Sequence, residues 1–280
     1  MRNDIAVFIL THGRARDQKT YKTLKDCGYN GRIYLIIDDM DNQKKLYEEL
    51  YGDQVICFKK QNIDCDTFTN QEEWRSVLYA RNATYEIAKN LGLSFVFMCD
   101  DDITKFNYRI VKDGKLKGFD ITDFNALLDK MAEIMAVGDI SIFGFSQSGS
   151  FVGGANSQKY IDGCQRTCSQ AMMVNIGNFV EWRGILGEDL NASLDAGSKG
   201  KIVLSTMLVS IQSPERTTNK GGLHDLYENN KMYVTLFYSL IAYPGIVSVR
   251  FQNGEWKHRI KRGSIAPMIL SDRHKKCHEK

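Results

Sequence analysis

The chain has 280 residues, 43% hydrophobic and 25% charged, with only three prolines. This is a globular composition, long enough for one large α/β domain, and it excludes a Pro-rich or collagenous chain. The net charge of +3 conceals an asymmetry: residues 257–280 hold eight basic residues against Asp272 and Glu279, a balance of +6, which leaves residues 1–256 at −3. A basic tail on a nearly balanced body suits an acidic partner, or solvation alone.

In chain order, residues 5–10 form a continuous apolar run, followed by Thr11-His12-Gly13-Arg14 and a polar helical stretch through Lys25. Residues 32–37 are a second apolar run ending in Asp38-Asp39, with a helix-like segment over 42–51. Residues 54–58 and 94–99 are a third and a fourth. Unbroken apolar strands alternating with helices predict a parallel sheet covered on both faces. In such sheets ligands bind beyond the carboxyl ends of the strands, where residues 11–14, 38–39 and 100–102 all fall. Between the third and fourth runs, residues 72–91 carry Trp74, Val77, Leu78, Tyr85 and Ala88 as one helical stripe. Arg81 shares that stripe. An inward guanidinium needs a carboxylate or a phosphate, so a structural ion pair with a strand-end aspartate and a ligand contact are both open.

The second half is less regular. Residues 121–138 read as a helix and 140–145 as a strand. Residues 146–160, rich in Gly, Ser and Asn, read as a mobile loop. Residues 166–176 are apolar-biased and 201–211 strand-like. A polar loop over 212–222 ends in Gly221-Gly222, and a helix runs from about 223 to 242. No repeat or low-complexity segment interrupts the chain, which reads as one domain over 1–256 with a basic extension over 257–280. No apolar run approaches the ~18 residues of a membrane span, and no secretory segment opens the chain, so a cytoplasmic protein without a membrane partner is expected. The seven cysteines show no Cys-x-x-Cys pair; reduced, mostly buried thiols and no zinc site are expected.

Three features carry chemistry. A buried strand ending in Asp100-Asp101-Asp102 gathers negative charge where water is scarce, which is costly unless a cation or several donors compensate. Alternation sends Asp100 and Asp102 to one side and Asp101 to the other. Carboxylate oxygens favour hard divalent ions such as Mn²⁺ or Mg²⁺, and solvated aspartates at a helix start are the alternative. In Gly187-Glu188-Asp189 a carboxylate is available to deprotonate an acceptor hydroxyl, or to sit in a helix first turn where the dipole favours it. In residues 11–14, glycine permits close backbone approach and Arg14 can meet phosphate.

Taken with Tyr79-Ala80-Arg81-Asn82 and Gly221-Gly222-x-x-Asp225-x-Tyr227, this order of motifs resembles the GT-A glycosyltransferases. More closely, it resembles the TET-associated glycosyltransferases, a largely phage-encoded group related to the base J glucosyltransferase, over about residues 4–250. The resemblance implies a GT-A (Rossmann-like) α/β fold, a mostly parallel sheet with helices on both faces. It implies transfer of a sugar from a nucleotide sugar, a UDP-sugar above all, to the hydroxymethyl group of a modified pyrimidine in DNA. It places Thr11, Gly13 and Arg14 beside the nucleotide and Asp38 or Asp39 on the base or ribose. Arg81 would reach the diphosphate, with Asn82 and Asp101 in the same donor-binding set, and Asp100 would bond the ribose. Asp102 and His224 would hold the metal, and Asp189 would be the base, with Glu188 as neighbour or substitute. A single base favours an inverting displacement. For a DNA acceptor the sequence offers Lys257, Arg259 and Lys261 on one strand face, able to follow phosphates. The target base would have to be flipped out, and Phe151 is an aromatic that could assist. A polysaccharide or small acceptor, or a binding module without catalysis, are the competing readings.

Overall fold

The computed structural model describes residues 2–68, 74, 76–214, 231–252, 255–261 and 271–272. Strand β1 (Ile5–Leu10) lies between β2 (Ile33–Asp38) and β4 (Phe95–Asp100), parallel to both, and β3 (Val55–Phe58) extends the parallel block beyond β2. Every residue of β1 is buried, as its unbroken apolar sequence requires of a strand covered on two faces. Alternation divides the coverage. Ile5, Val7, Ile9, Phe95, Phe97 and Cys99 pack with Leu24 of α1 (Lys19–Asp26) and with α4 (Phe124–Gly138). Ala6, Phe8, Leu10, Val96 and Met98 pack with Leu78, Tyr79, Ala83 and Ala88 of α3 (Leu78–Asn90) and with Ala192 and Ala196 of α6 (Glu188–Ser198). Helix α2 (Lys44–Tyr51) inserts Tyr47 against Leu35 and Ile37.

Beyond β4 the sheet becomes mixed. Its order is β3-β2-β1-β4-β9-β7-β10-β5-β6, with β5 Lys105–Lys112, β6 Lys115–Asp120, β7 Ile142–Gln147, β9 Ala171–Asn175 and β10 Val203–Gln212. Strand β9 runs antiparallel between β4 and β7, while β10 is parallel to β7 and antiparallel to β5. A short β8 (Cys164–Gln165) pairs with β10, and α5 (Gln158–Ile161) precedes it. Helix α7 (Lys231–Ala242) leads to a separate hairpin of β11 (Val247–Gln252) and β12 (Glu255–Ile260). The expected α/β architecture with helices on both faces is present, and its parallel character is concentrated in the first hundred residues.

Several expectations are corrected. The β5–β6 hairpin is additional; its turn, Asp113-Gly114, has φ of 54° and 70°, the Asp-Gly signal of a tight hairpin. Residues 146–160 are not an open loop but contain turns at Ser148–Phe151 and Gly154–Asn156 followed by α5. Phe151 is buried, with the Arg109 guanidinium 4.7 Å from its ring centroid, so it is not an aromatic free to meet a base. Helix α3 starts later than residue 72, after Ser76, whose Oγ accepts the Leu78 N–H and donates to the Ile185 carbonyl at 2.6 Å. Of the expected helix over 223–242, residues 223–230 lie outside the described residues. Strand β12 runs across residue 256.

Phe97, Phe106, Phe124 and Phe145 form a ring cluster with centroids 4.9–6.4 Å apart. Phe124 is fully buried and opens α4. Phe124→Ala should therefore cost about 3–5 kcal/mol of stability, read as a lowered denaturation midpoint in urea with an unchanged slope.

Candidate active site

The loop after β1 is held by hydrogen bonds on all sides. Thr11 Oγ1 donates to Asp101 Oδ2 at 2.6 Å, accepts from Gln18 Nε2 at 2.8 Å and lies 2.8 Å from the Tyr47 hydroxyl. Gly13 takes φ +68°, which glycine alone adopts without strain, and its N–H donates to Asp41 Oδ2 at 2.8 Å. The Arg14 N–H donates to the Tyr47 hydroxyl at 2.9 Å, and Arg14 Nη1 donates to Asp101 Oδ1 at 2.7 Å. Thr11 and Arg14 are thus engaged with Asp101, which points to their side of the strand as alternation requires. Burial raises the Asp101 carboxyl, and Arg14 and Thr11 offset only part of that.

At the end of β2, buried Asp38 accepts from Lys60 Nζ at 3.0 Å and lies 2.8 Å from His12 Nδ1. Burial pushes the Asp38 carboxyl up, but the hydrogen bonds and charge of His12 and Lys60 outweigh it and hold the group below its usual range. The bond to Asp38 in turn raises His12. Asp39 is exposed and accepts the Lys60 N–H at 3.0 Å. Lys60 was not anticipated, although it follows the carboxyl end of β3 and the strand-end rule applied there would have marked it.

The acidic centre sits at the end of β4. Arg81 of α3 is 3% exposed. Its Nη1 lies 3.1 Å from Glu188 Oε1 and its Nη2 3.9 Å from Asp100 Oδ1, yet Nε and Nη1 make no hydrogen bond among the described residues. Both open readings of Arg81 are thereby addressed: it forms an ion pair and still has N–H groups to give. Glu188 and Asp189 occupy the first turn of α6, which Gly187 enters at φ +69°. The Leu190 N–H donates to Asp189 Oδ1 at 2.7 Å. Burial, and then the like charges of Asp102, Asp101 and Glu188, push the Asp100 carboxyl up to about 7 despite Arg81. Asn82 bonds the main chain of the segment before α6. Its Nδ2 donates to the Trp182 carbonyl and its Oδ1 accepts the Trp182 N–H, both at 2.9 Å, so it anchors the segment leading to Glu188.

Among the described residues no three His, Cys, Asp or Glu side chains converge as a complete metal cage; His224 lies outside them. Asp100 and Asp102 nevertheless fit a Mn²⁺ or Mg²⁺ ion of the kind held by one or two carboxylates together with substrate phosphates. They are hard oxygen donors crowded by like charge, which a cation would relieve.

The sequence model of the family described as TET-Associated Glycosyltransferase matches residues 5–222. No curated protein matches the sequence. Among solved structures, the chain is similar to S. aureus TarS 1–349 in complex with UDP-GlcNAc, with 12% identity and a TM-score of 0.41. The likeness covers 85% of this chain and spans 66% of that one.

Because the folded-state Asp100 binds its proton more tightly than the unfolded chain does, it opposes folding increasingly as pH rises from about 4 to about 7. Asp100→Asn should therefore raise the melting temperature of the ligand-free protein at pH 8, and the gain should vanish near pH 4. Thermal denaturation of both proteins across that range checks the sign.

Proposed function

The chain belongs to the TET-associated glycosyltransferase family, and on that premise we propose that it moves a sugar from a UDP-sugar to the hydroxymethyl group of a modified pyrimidine in DNA. The observation that carries this reading is Arg81. A guanidinium buried between Asp100 and Glu188 with N–H groups unspent, at the carboxyl end of a parallel block, is a receptor for a diphosphate.

In the proposed mechanism the nucleoside lies over the ends of β1 and β2. Asp38 is already tied to Lys60 and His12, so exposed Asp39 is the carboxylate offered to ribose or base. Arg81 meets the diphosphate, and Glu188 holds Arg81 in place. Asp102, with Asp100, would hold the divalent cation, whose charge would offset that of the departing diphosphate. Asp189 takes the proton from the acceptor hydroxyl as its oxygen attacks the anomeric carbon from the face opposite the leaving UDP, so the configuration inverts. Glu188 is less suited to be the base because it is paired with Arg81 at 3.1 Å.

The DNA acceptor is supported by the C-terminal hairpin. Lys257, Arg259 and Lys261 are exposed, and Arg250 stands opposite Lys257 across the ladder. Three cations in a row, with Arg250 beside the first of them, match a phosphate backbone. The basic extension over 257–280 thus begins inside β12, and the body over 1–256 carries the donor site.

Hydroxymethylcytosine- or hydroxymethyluracil-containing DNA, incubated with a panel of nucleotide sugars and Mn²⁺ or Mg²⁺, should gain one sugar per modified base by nucleoside mass spectrometry. Chelation should abolish the gain, and rising salt should suppress it steeply. Transfer to a polysaccharide or small hydroxyl compound, with none to DNA, would refute the acceptor assignment. Asp189→Ala should lower transfer by about 10²–10⁴-fold with UDP affinity unchanged, and Asp102→Asn should lose the metal dependence of UDP binding; a fully active Asp189→Ala protein places the base elsewhere.

A further inference from the structure

The strand order acts as a ruler along the carboxyl edge of β4. On one side lie β1, β2 and β3, with His12, Asp38 and Lys60. On the other side the next strands are β9, β7 and β10, and their ends at this edge carry four uncharged polar residues. Gln170 immediately precedes β9, and its carbonyl accepts the Asp100 N–H at 2.9 Å. Gln147 ends β7, Ser169 precedes Gln170, and Ser213 follows β10.

These side chains interlock. Gln147 Nε2 donates to Ser169 Oγ at 3.0 Å and to Gln170 Oε1 at 3.2 Å, and Ser213 Oγ donates to the same Gln170 oxygen at 3.2 Å. All four are half-buried. The network fixes the orientation of both amides and leaves Gln170 Nε2 as a donor and Gln147 Oε1 as an acceptor, neither engaged by a described residue. Gln170 itself has φ +25°. A non-glycine residue in the left-handed region is strained, and here that conformation accompanies the placing of Gln170 beside Asp100.

We propose that Gln170 and Gln147, braced by Ser169 and Ser213, read the hydroxyl groups of the transferred sugar. The inference rests on the nucleotide-sugar reading above. With strands ~4.8 Å apart, Gln170 stands about one strand and Gln147 about two strands from Asp100. That is the span of a hexose ring attached to a diphosphate held at Asp100, Asp102 and Arg81. An uncharged cluster that presents one donor beside one acceptor suits a neutral ligand with hydroxyl groups. The acceptor is left to approach from α6, where Asp189 stands.

The test uses the full chain, with Gln147→Met, which is nearly isosteric, and Gln170→Asn, which shortens the amide while tolerating positive φ. UDP lacks the transferred sugar, so its affinity, measured by calorimetry with Mn²⁺, should stay within about twofold of wild type. For the preferred donor among UDP-glucose, UDP-galactose and UDP-N-acetylglucosamine, kcat/KM should fall ~10–100-fold, and discrimination among the three should largely disappear. Unchanged sugar selectivity with intact UDP binding overturns the proposal alone. So does a loss confined to the KM of the acceptor, which would assign the cluster to the pyrimidine edge. Absence of UDP binding by the wild-type protein overturns the nucleotide-sugar reading and this proposal with it.

Discussion

One buried cation, Arg81, organises the candidate active site. Arg81 enters the apolar stripe of α3 and meets Asp100 from β4 and Glu188 from α6, so one guanidinium ties a strand end to a helix start far along the chain. Burying such a charge is tolerable only where carboxylates surround it. Three elements must therefore arrive together for any of them to be stable in place. The same constraint explains why Asn82, one residue on, grips the Trp182 main chain with both ends of its amide. The segment carrying Glu188 has to be positioned before its carboxylate can meet Arg81.

The carboxylates divide their labour by partner. Asp101 is committed to Thr11 and Arg14, and Asp38 to Lys60 and His12; these pairs set the shape of the side proposed for the nucleotide. Asp100 and Asp102 form the crowded centre, where burial and like charge push the Asp100 carboxyl up to about 7. In the proposed reading the surplus carboxylate suits a divalent ion and a polyanionic donor, and the uncharged strand ends beyond it suit a sugar. On that reading the order nucleoside, diphosphate, sugar would follow the order of the strands, and the basic hairpin would offer a distinct surface to a long anionic acceptor.

Much of this was legible because it is written in short-range pattern. Unbroken apolar runs at β1, β2 and β4 identified buried parallel strands. Alternation separated Asp101 from Asp100 and Asp102, and the inward place of Arg81 on its helix announced an anionic partner. What escaped depends on contacts between segments far apart in sequence. No local pattern says that β9 inserts antiparallel beside β4, bringing Gln170 next to Asp100. None distinguishes a Gly- and Ser-rich loop from the packed turns that bury Phe151 under Arg109. The Asp113-Gly114 hairpin and Lys60 at the end of β3 did carry local signals, weaker than those beside them.

The sequence by itself determined the architecture of the first hundred residues, the chemistry available there and the division of charge between an acidic body and a basic end. These follow from hydrophobic period and side-chain type, which act over a few residues. The tertiary structure decided which polar groups are spent and which are left to give. Arg14 is engaged with Asp101, Asn82 with Trp182, and Glu188 with Arg81, whereas Arg81, Gln147 and Gln170 retain unspent hydrogen-bonding atoms. The physical reason is that a hydrogen bond or ion pair needs its partner within about 3 Å, and only the folded chain settles which groups come that close.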